Sequence, residues 1–99
     1  MKDVVVIAHR GAFIPEGPIP TVQGRYEIPE NTLEAFERAF NSGWGIETDV
    51  RIWGDRKFAL IHDANTDRMS KYPQFKLPTT DDLSNLLSKQ VVGKPPFIS

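Results

Sequence analysis

With 99 residues, a formal net charge of −1, and 25% charged against 39% hydrophobic side chains, the chain has the balance of one soluble globular domain. That balance excludes a broad electrostatic attraction to nucleic acid or to an anionic membrane, so no nucleic-acid partner is expected. The chain has no cysteine, so it holds neither disulfides nor thiolate metal sites; any metal must rest on carboxylates, the two histidines or backbone oxygens.

The first element is "VVVIA" at 4–8, a continuous β-branched run of the kind that forms a strand buried on both faces, as in parallel sheets. It is too short for a signal-peptide core or a membrane span and runs directly into His9 and Arg10. A cytoplasmic protein without a stable membrane anchor is therefore expected. Residues 12–29 hold four of the eight prolines, Pro15, Pro18, Pro20 and Pro29, and read as a long loop of the sort that lies over a site.

A helix is predicted from "ENTLEAFERAFNSG". Asn31 can cap it, with Glu34 placed as in a capping box. Leu33, Phe36 and Phe40 form one apolar stripe, and Gly43 and Gly45 end the helix. The next strand is predicted over 46–52. "WGDRKF" supplies a Gly-Asp turn, and 58–61 forms the returning strand of a small hairpin that ends at His62 and Asp63. After a polar loop, "TTDDLSNLLSK" predicts a second helix capped by Thr79 or Thr80, with Leu83, Leu86 and Leu87 as its stripe. Residues 93–96 turn, and 97–99 read as the opening of a third strand. The order is that of an α/β chain with right-handed crossovers.

The chemistry centres on "GIETDV" at 45–50. On a continuous strand Glu47 and Asp49 share a face, with Cα atoms about 6–7 Å apart. With their carboxylates about 6 Å apart in an effective dielectric of about 20, they repel by about 3 kcal/mol. Solvent, basic partners or a divalent cation could hold such a pair. Taken alone the pattern is a solvated strand face with Arg51 or Arg56 as counter-charge. The two histidines alter that weighting, because each lies at a strand end beside a charged residue, His9 before Arg10 and His62 before Asp63. Histidine is the side chain suited to acid and base work at neutral pH. Arg10 offers the planar fork that matches phosphate. Hard oxygen ligands without cysteine favour Mg²⁺ or Ca²⁺. Together these residue types describe metal-assisted attack on a phosphate ester.

"HRG" (9–11), "PENTLEAF" (29–36), "GIETDV" (45–50) and "HD" (62–63), in that order and spacing, make the chain resemble the glycerophosphodiester phosphodiesterase family. The resemblance covers nearly the whole chain and implies a (β/α)₈ TIM barrel with its site at the C-terminal ends of the strands. It implies that His9 and His62 are the catalytic pair, that Arg10 contacts the substrate phosphate, and that Glu47 and Asp49 are ligands of the divalent cation, Mg²⁺ or Ca²⁺. Glu30, Asn31 and Asp63 would lie beside the site rather than on the ion. The implied reaction cleaves a glycerophosphodiester to glycerol 3-phosphate and an alcohol, with a cyclic intermediate in such family proposals.

A third acidic ligand comes, in the family, from a later strand, and none of Asp55, Asp63 or Asp67 matches it. A whole barrel takes about 250 residues. Residues 1–99 are therefore expected to be its N-terminal portion: two β/α units, the start of strand 3 and a small hairpin insertion, with the C-terminal part missing. Uncovered edges and apolar faces would leave such a piece marginal, aggregating or oligomeric. Two alternatives remain. A phospholipase D-like enzyme of the sphingomyelinase D type shares the two-histidine, two-acid site but acts outside cells, which the missing cysteines and signal core count against. An inactive truncated module could bind a cation or pair with another polypeptide.

Overall fold

The β-branched start and the two amphipathic stripes produce the elements that set the fold. In a computed structural model that describes residues 6–15, 26–53, 57–89 and 98, these are β1 (Ile7–His9), β2 (Ile14–Pro15), β3 (Tyr26–Ile28), α1 (Leu33–Asn41), β4 (Gly45–Glu47), β5 (Val50–Trp53), β6 (Lys57–Leu60) and α2 (Thr80–Ser88). A single 3₁₀ turn covers Met69–Lys71.

β1 and β4 pair in parallel, with Ile7 opposite Gly45, Ala8 opposite Ile46 and His9 opposite Glu47. Ile98 joins the far side of β4 through a parallel bridge to Ile46, where the sequence predicts a third strand to open. The α1 segment links β1 to β4 and packs against β4, so these elements form one β–α–β unit. β5 and β6 form an antiparallel hairpin from Val50 opposite Leu60 to Trp53 opposite Lys57. The turn expected at its tip, like that at 93–96 and the first two residues of "VVVIA", lies outside the described residues.

The first strand is not buried on both faces as expected: Val6 is 44% and Ile7 43% exposed. Further expectations need correction. The long loop over 12–29 is in part a two-stranded antiparallel ribbon, β2 with β3, because Ile14 and Ile28 find each other across it. The strand predicted over 46–52 is two strands, broken at Thr48 and Asp49, whose side chains turn to a partner far along the chain instead of continuing the alternation. Finally, the cap of α1 is Thr32, not Asn31: the Thr32 hydroxyl accepts from the Ala35 amide at 3.2 Å. The helix ends at Ser42 and Gly43, the latter at φ +76°; Gly45 is already strand. α2 follows its prediction closely, with Thr79 and Asp82 exchanging both bonds of a capping box.

The core gathers the buried stripe of each helix against the sheet. Phe36, Ala39 and Phe40 of α1 and Leu83 and Leu86 of α2 meet Ile46 and Leu60. Phe36, Ile46 and Leu60 are fully buried, each contributing about 1.5–3 kcal/mol. Other apolar residues of the hairpin stay uncovered, with Ile52 73%, Val50 53% and Phe58 46% exposed.

The chain leaves β1 through two consecutive left-handed residues, Arg10 at φ 58° and Gly11 at φ 81°. This sharp exit brings Gly11 hard against α1: a Cβ there would lie 2.9 Å from the Ala35 Cβ and 3.0 Å from the Phe36 ring. Gly11→Ala therefore combines backbone strain with a clash. It is expected to lower stability by about 2–4 kcal/mol in urea unfolding. A loss below about 0.5 kcal/mol would show that the turn relaxes freely.

Candidate active site

The parallel register brings the first two motifs together. His9 and Glu47 are direct neighbours on β1 and β4, and His9 Nδ1 contacts Glu47 Oε1. One residue further on, the Arg10 amide donates to the Glu47 carbonyl at 2.7 Å, continuing the ladder past the strand end.

"PENT" gives each of its residues a separate task. Pro29 is fully buried, and its carbonyl accepts from the Thr32 hydroxyl at 2.8 Å. Thr32 caps α1. Asn31, in the left-handed region at φ 53°, donates its backbone amide to the Arg10 carbonyl at 2.8 Å. Its side chain then points to the acidic segment: Oδ1 accepts from the Thr48 hydroxyl at 2.9 Å and Nδ2 donates to Asp49 Oδ2 at 3.2 Å. Arg10 and Asn31 are the non-glycine residues with positive φ among those described, and both lie at this site. Such strain persists where the surroundings over-determine the backbone.

Glu30, the second residue of the motif, is 3% exposed and lies between two guanidinium groups. Arg10 NH1 donates to Oε2 at 2.9 Å, while Arg68 donates to Oε1 at 2.8 Å and to Oε2 at 3.2 Å. Burial pushes the Glu30 carboxyl up, but the hydrogen bonds and charges of Arg68, then of Arg10, outweigh it and hold the group below its ordinary value. Arg68 also forks onto Asp63, at 2.9 Å from Nε and 3.2 Å from NH2. Asp63 in turn lies 3.0 Å from His62 Nδ1. Arg68's hydrogen bonds, then that of His62, hold the Asp63 carboxyl down at about 2.

The result is a chain of alternating charge from Asp49 through Arg10, Glu30 and Arg68 to Asp63, which meets the His62 ring. Arg10 Nε approaches Asp49 Oδ2 at 3.4 Å as an ion contact, without the geometry of a hydrogen bond, and is the buried side-chain polar atom left unbonded among the described residues. Repulsion between the paired acids is thus met by separate basic neighbours, His9 on Glu47 and Arg10 on Asp49. Arg51 is not their counter-charge: its Nε donates to the His62 carbonyl at 2.8 Å and secures the end of the hairpin strand. Arg56 lies outside the described residues. A cavity of about 170 Å³ opens beside His62 and Glu30, walled by Leu60, Met69, Phe75 and Leu77.

The site residues named from the sequence, His9, Arg10, Glu30, Asn31, Glu47, Asp49, His62 and Asp63, are therefore joined to this region, through two clusters: His9 with Glu47, and the chain from Asp49 to His62 with Asn31 on Asp49. Among the described residues there is no group of three or more histidine and acidic side chains that could hold a metal ion, and no helix is long and apolar enough to cross a membrane. The sequence reading missed Arg68 and Thr48. Nothing in the spacing of the polar loop marks Arg68. The signal available was Glu30, a buried acid whose second carboxylate oxygen needed a cation besides Arg10.

Comparison with known proteins adds a second line of evidence. The sequence model of the Glycerophosphoryl diester phosphodiesterase family matches residues 9–95. A glycerophosphodiester phosphodiesterase of Bacillus altitudinis is 42% identical over 64 residues, 64% of this chain and 21% of that protein. One from Caldanaerobacter subterraneus subsp. tengcongensis is 40% identical over 65 residues, 65% of this chain and 22% of its own length. Glycerophosphodiester phosphodiesterase domain-containing protein 4 of Macaca fascicularis is 37% identical over 93 residues, 80% of this chain and 15% of that protein. The chain thus spans about a fifth of the length of the first two relatives.

Proposed function

The chain belongs to the Glycerophosphoryl diester phosphodiesterase family, and from that premise we propose that the protein carrying it hydrolyses glycerophosphodiesters to glycerol 3-phosphate and an alcohol. In this reading β1, β4 and the segment at Ile98 are the first three strands of a (β/α)₈ barrel, and residues 1–99 are its N-terminal part. The exposed apolar face of the β5–β6 hairpin is what such a piece leaves uncovered.

The observation that carries the proposal is the pairing of His9 with Glu47 across the parallel ladder, with Asn31 joining Asp49 to the same strand ends. Among the described residues Glu47 is engaged through Oε1 and Asp49 through Oδ2, which leaves Oε2 and Oδ1 for a hard cation, Mg²⁺ or Ca²⁺. These residues fit two positions of its coordination shell; the other ligands come from elsewhere. Such a cation would supply Lewis-acid neutralisation of charge on the phosphoryl oxygens. Arg10, fixed between Glu30 and Asp49, points its guanidinium charge at the same region and binds the phosphate. Of His9 and His62, one takes the proton of the attacking hydroxyl and the other returns a proton to the leaving alkoxide.

Glu47→Gln and Asp49→Asn are expected to abolish cation-dependent hydrolysis of glycerophosphocholine while retaining the wild-type circular dichroism spectrum. The assay strips the protein with chelator and restores Mg²⁺ or Ca²⁺. Full turnover by both variants after restoration would sink the ligand assignment.

A further inference from the structure

We propose that Arg68 is a positioning residue for His62: by gripping both oxygens of Asp63 it holds that carboxylate on His62 Nδ1 and leaves Nε2 as the nitrogen that exchanges protons with the substrate. The inference rests on the reading of His62 as an acid–base group, and adds the means by which its ring is set.

The geometry begins at a buried anchor. Glu30 is 3% exposed and is itself held by Arg10, so it gives Arg68 a fixed foothold. From there Arg68 reaches both ways with a planar fork, its NH1 and NH2 on Glu30 and its Nε and NH2 on Asp63. A forked guanidinium fixes the orientation of a carboxylate as well as its charge. The loop bearing Arg68 is pinned locally as well: the Ser70 amide donates to the Thr66 carbonyl at 2.7 Å and the Ser70 hydroxyl to the Asp67 carbonyl at 2.9 Å.

The consequence for the ring follows from hydrogen-bond chemistry. An ionised carboxylate only accepts. Asp63, kept ionised by Arg68, therefore accepts a hydrogen bond from His62 Nδ1–H, and the neutral ring carries its lone pair on Nε2. His62 and Asp63 are adjacent on a polar loop, with the His62 side chain 49% exposed. Without the guanidinium, Asp63 is free to turn to solvent, and the ring loses both its orientation and its preferred tautomer.

The test reads the ring directly. Long-range ¹H–¹⁵N spectra of His62 in the ¹⁵N-labelled protein, recorded where the ring is neutral, are expected to show Nδ1 protonated and Nε2 bare. Arg68→Met should shift this towards a mixture of tautomers and lower kcat about ten- to hundredfold with KM little changed, the size typical of groups that orient a histidine. Arg68→Lys keeps a charge against Glu30 but cannot grip both oxygens of Asp63. It should fold and still show the mixed tautomer, as should Asp63→Asn, so the test survives if Arg68→Met fails to fold. A wild-type tautomer in folded Arg68→Lys and Asp63→Asn would overturn the proposal. A His62→Ala control separates the two claims: retained hydrolysis there defeats the catalytic reading, whatever the spectra show of Arg68.

Discussion

Replacing either His9 or His62 by alanine is expected to reduce hydrolysis of glycerophosphocholine about 10²–10⁴-fold in the protein that carries this chain, with its fold retained. The two residues occupy unlike surroundings. His9 lies at the end of β1 against Glu47, and His62 lies two residues past the end of β6 against Asp63. Both are well exposed, and neither belongs to the buried core, so truncation removes chemistry rather than packing. Steady-state rates with the circular dichroism spectrum as a fold control decide the matter. A rate within about threefold of wild type in either variant would leave that histidine a structural role only, since loss of a true acid or base costs far more.

The second large effect is expected at Glu30. Glu30→Gln keeps the shape of the side chain and removes its charge, leaving Arg10 and Arg68 gathered around a neutral amide. Breaking a buried ion network by deleting one partner costs about 3–5 kcal/mol, which urea unfolding would register. A loss under about 1 kcal/mol, the size of an exposed pair, would mean that solvent already screens the cluster. The same network makes a prediction for acid. Glu30 and Asp63 both hold their charge to lower pH than they would in an unfolded chain, Asp63 down to about 2. The stability they give is complete above the ordinary carboxylate range near pH 4 and is lost as pH falls below it, for Asp63 towards about 2. Glu30→Gln should therefore flatten the wild-type decline in stability over that interval.

What the sequence revealed and what it hid divide by range. The cap, stripe and end of α2 were legible because each depends on residues three or four apart, as Thr79 and Asp82 do. The same holds for the stripe of α1, and the hairpin β5–β6 pairs residues no more than ten apart. The cap of α1 was misplaced because Asn31 and Thr32 are both good caps. What separates them is the Arg10 carbonyl, which accepts from the Asn31 amide across more than twenty positions of chain and stabilises its left-handed backbone. The break in the strand after Glu47 has the same origin, since Thr48 and Asp49 leave the alternation to meet the Asn31 side chain, 17 and 18 residues away. For the site, the motifs named the reactive groups but not how they are held. Arg68 was invisible because its partners, Glu30 and Asp63, stand 38 and 5 residues before it, and neither interval is a recognisable spacing.

Because one carboxylate serves two guanidiniums, positions 10, 30 and 68 are not free to drift separately. A change at any of them strands a charge on the others, so an intermediate with one substitution is poorer than either the original or a fully altered set. Across descendants of this sequence the three should be inherited as a block, altered together or not at all, while the surface of the polar loop around Arg68 varies freely.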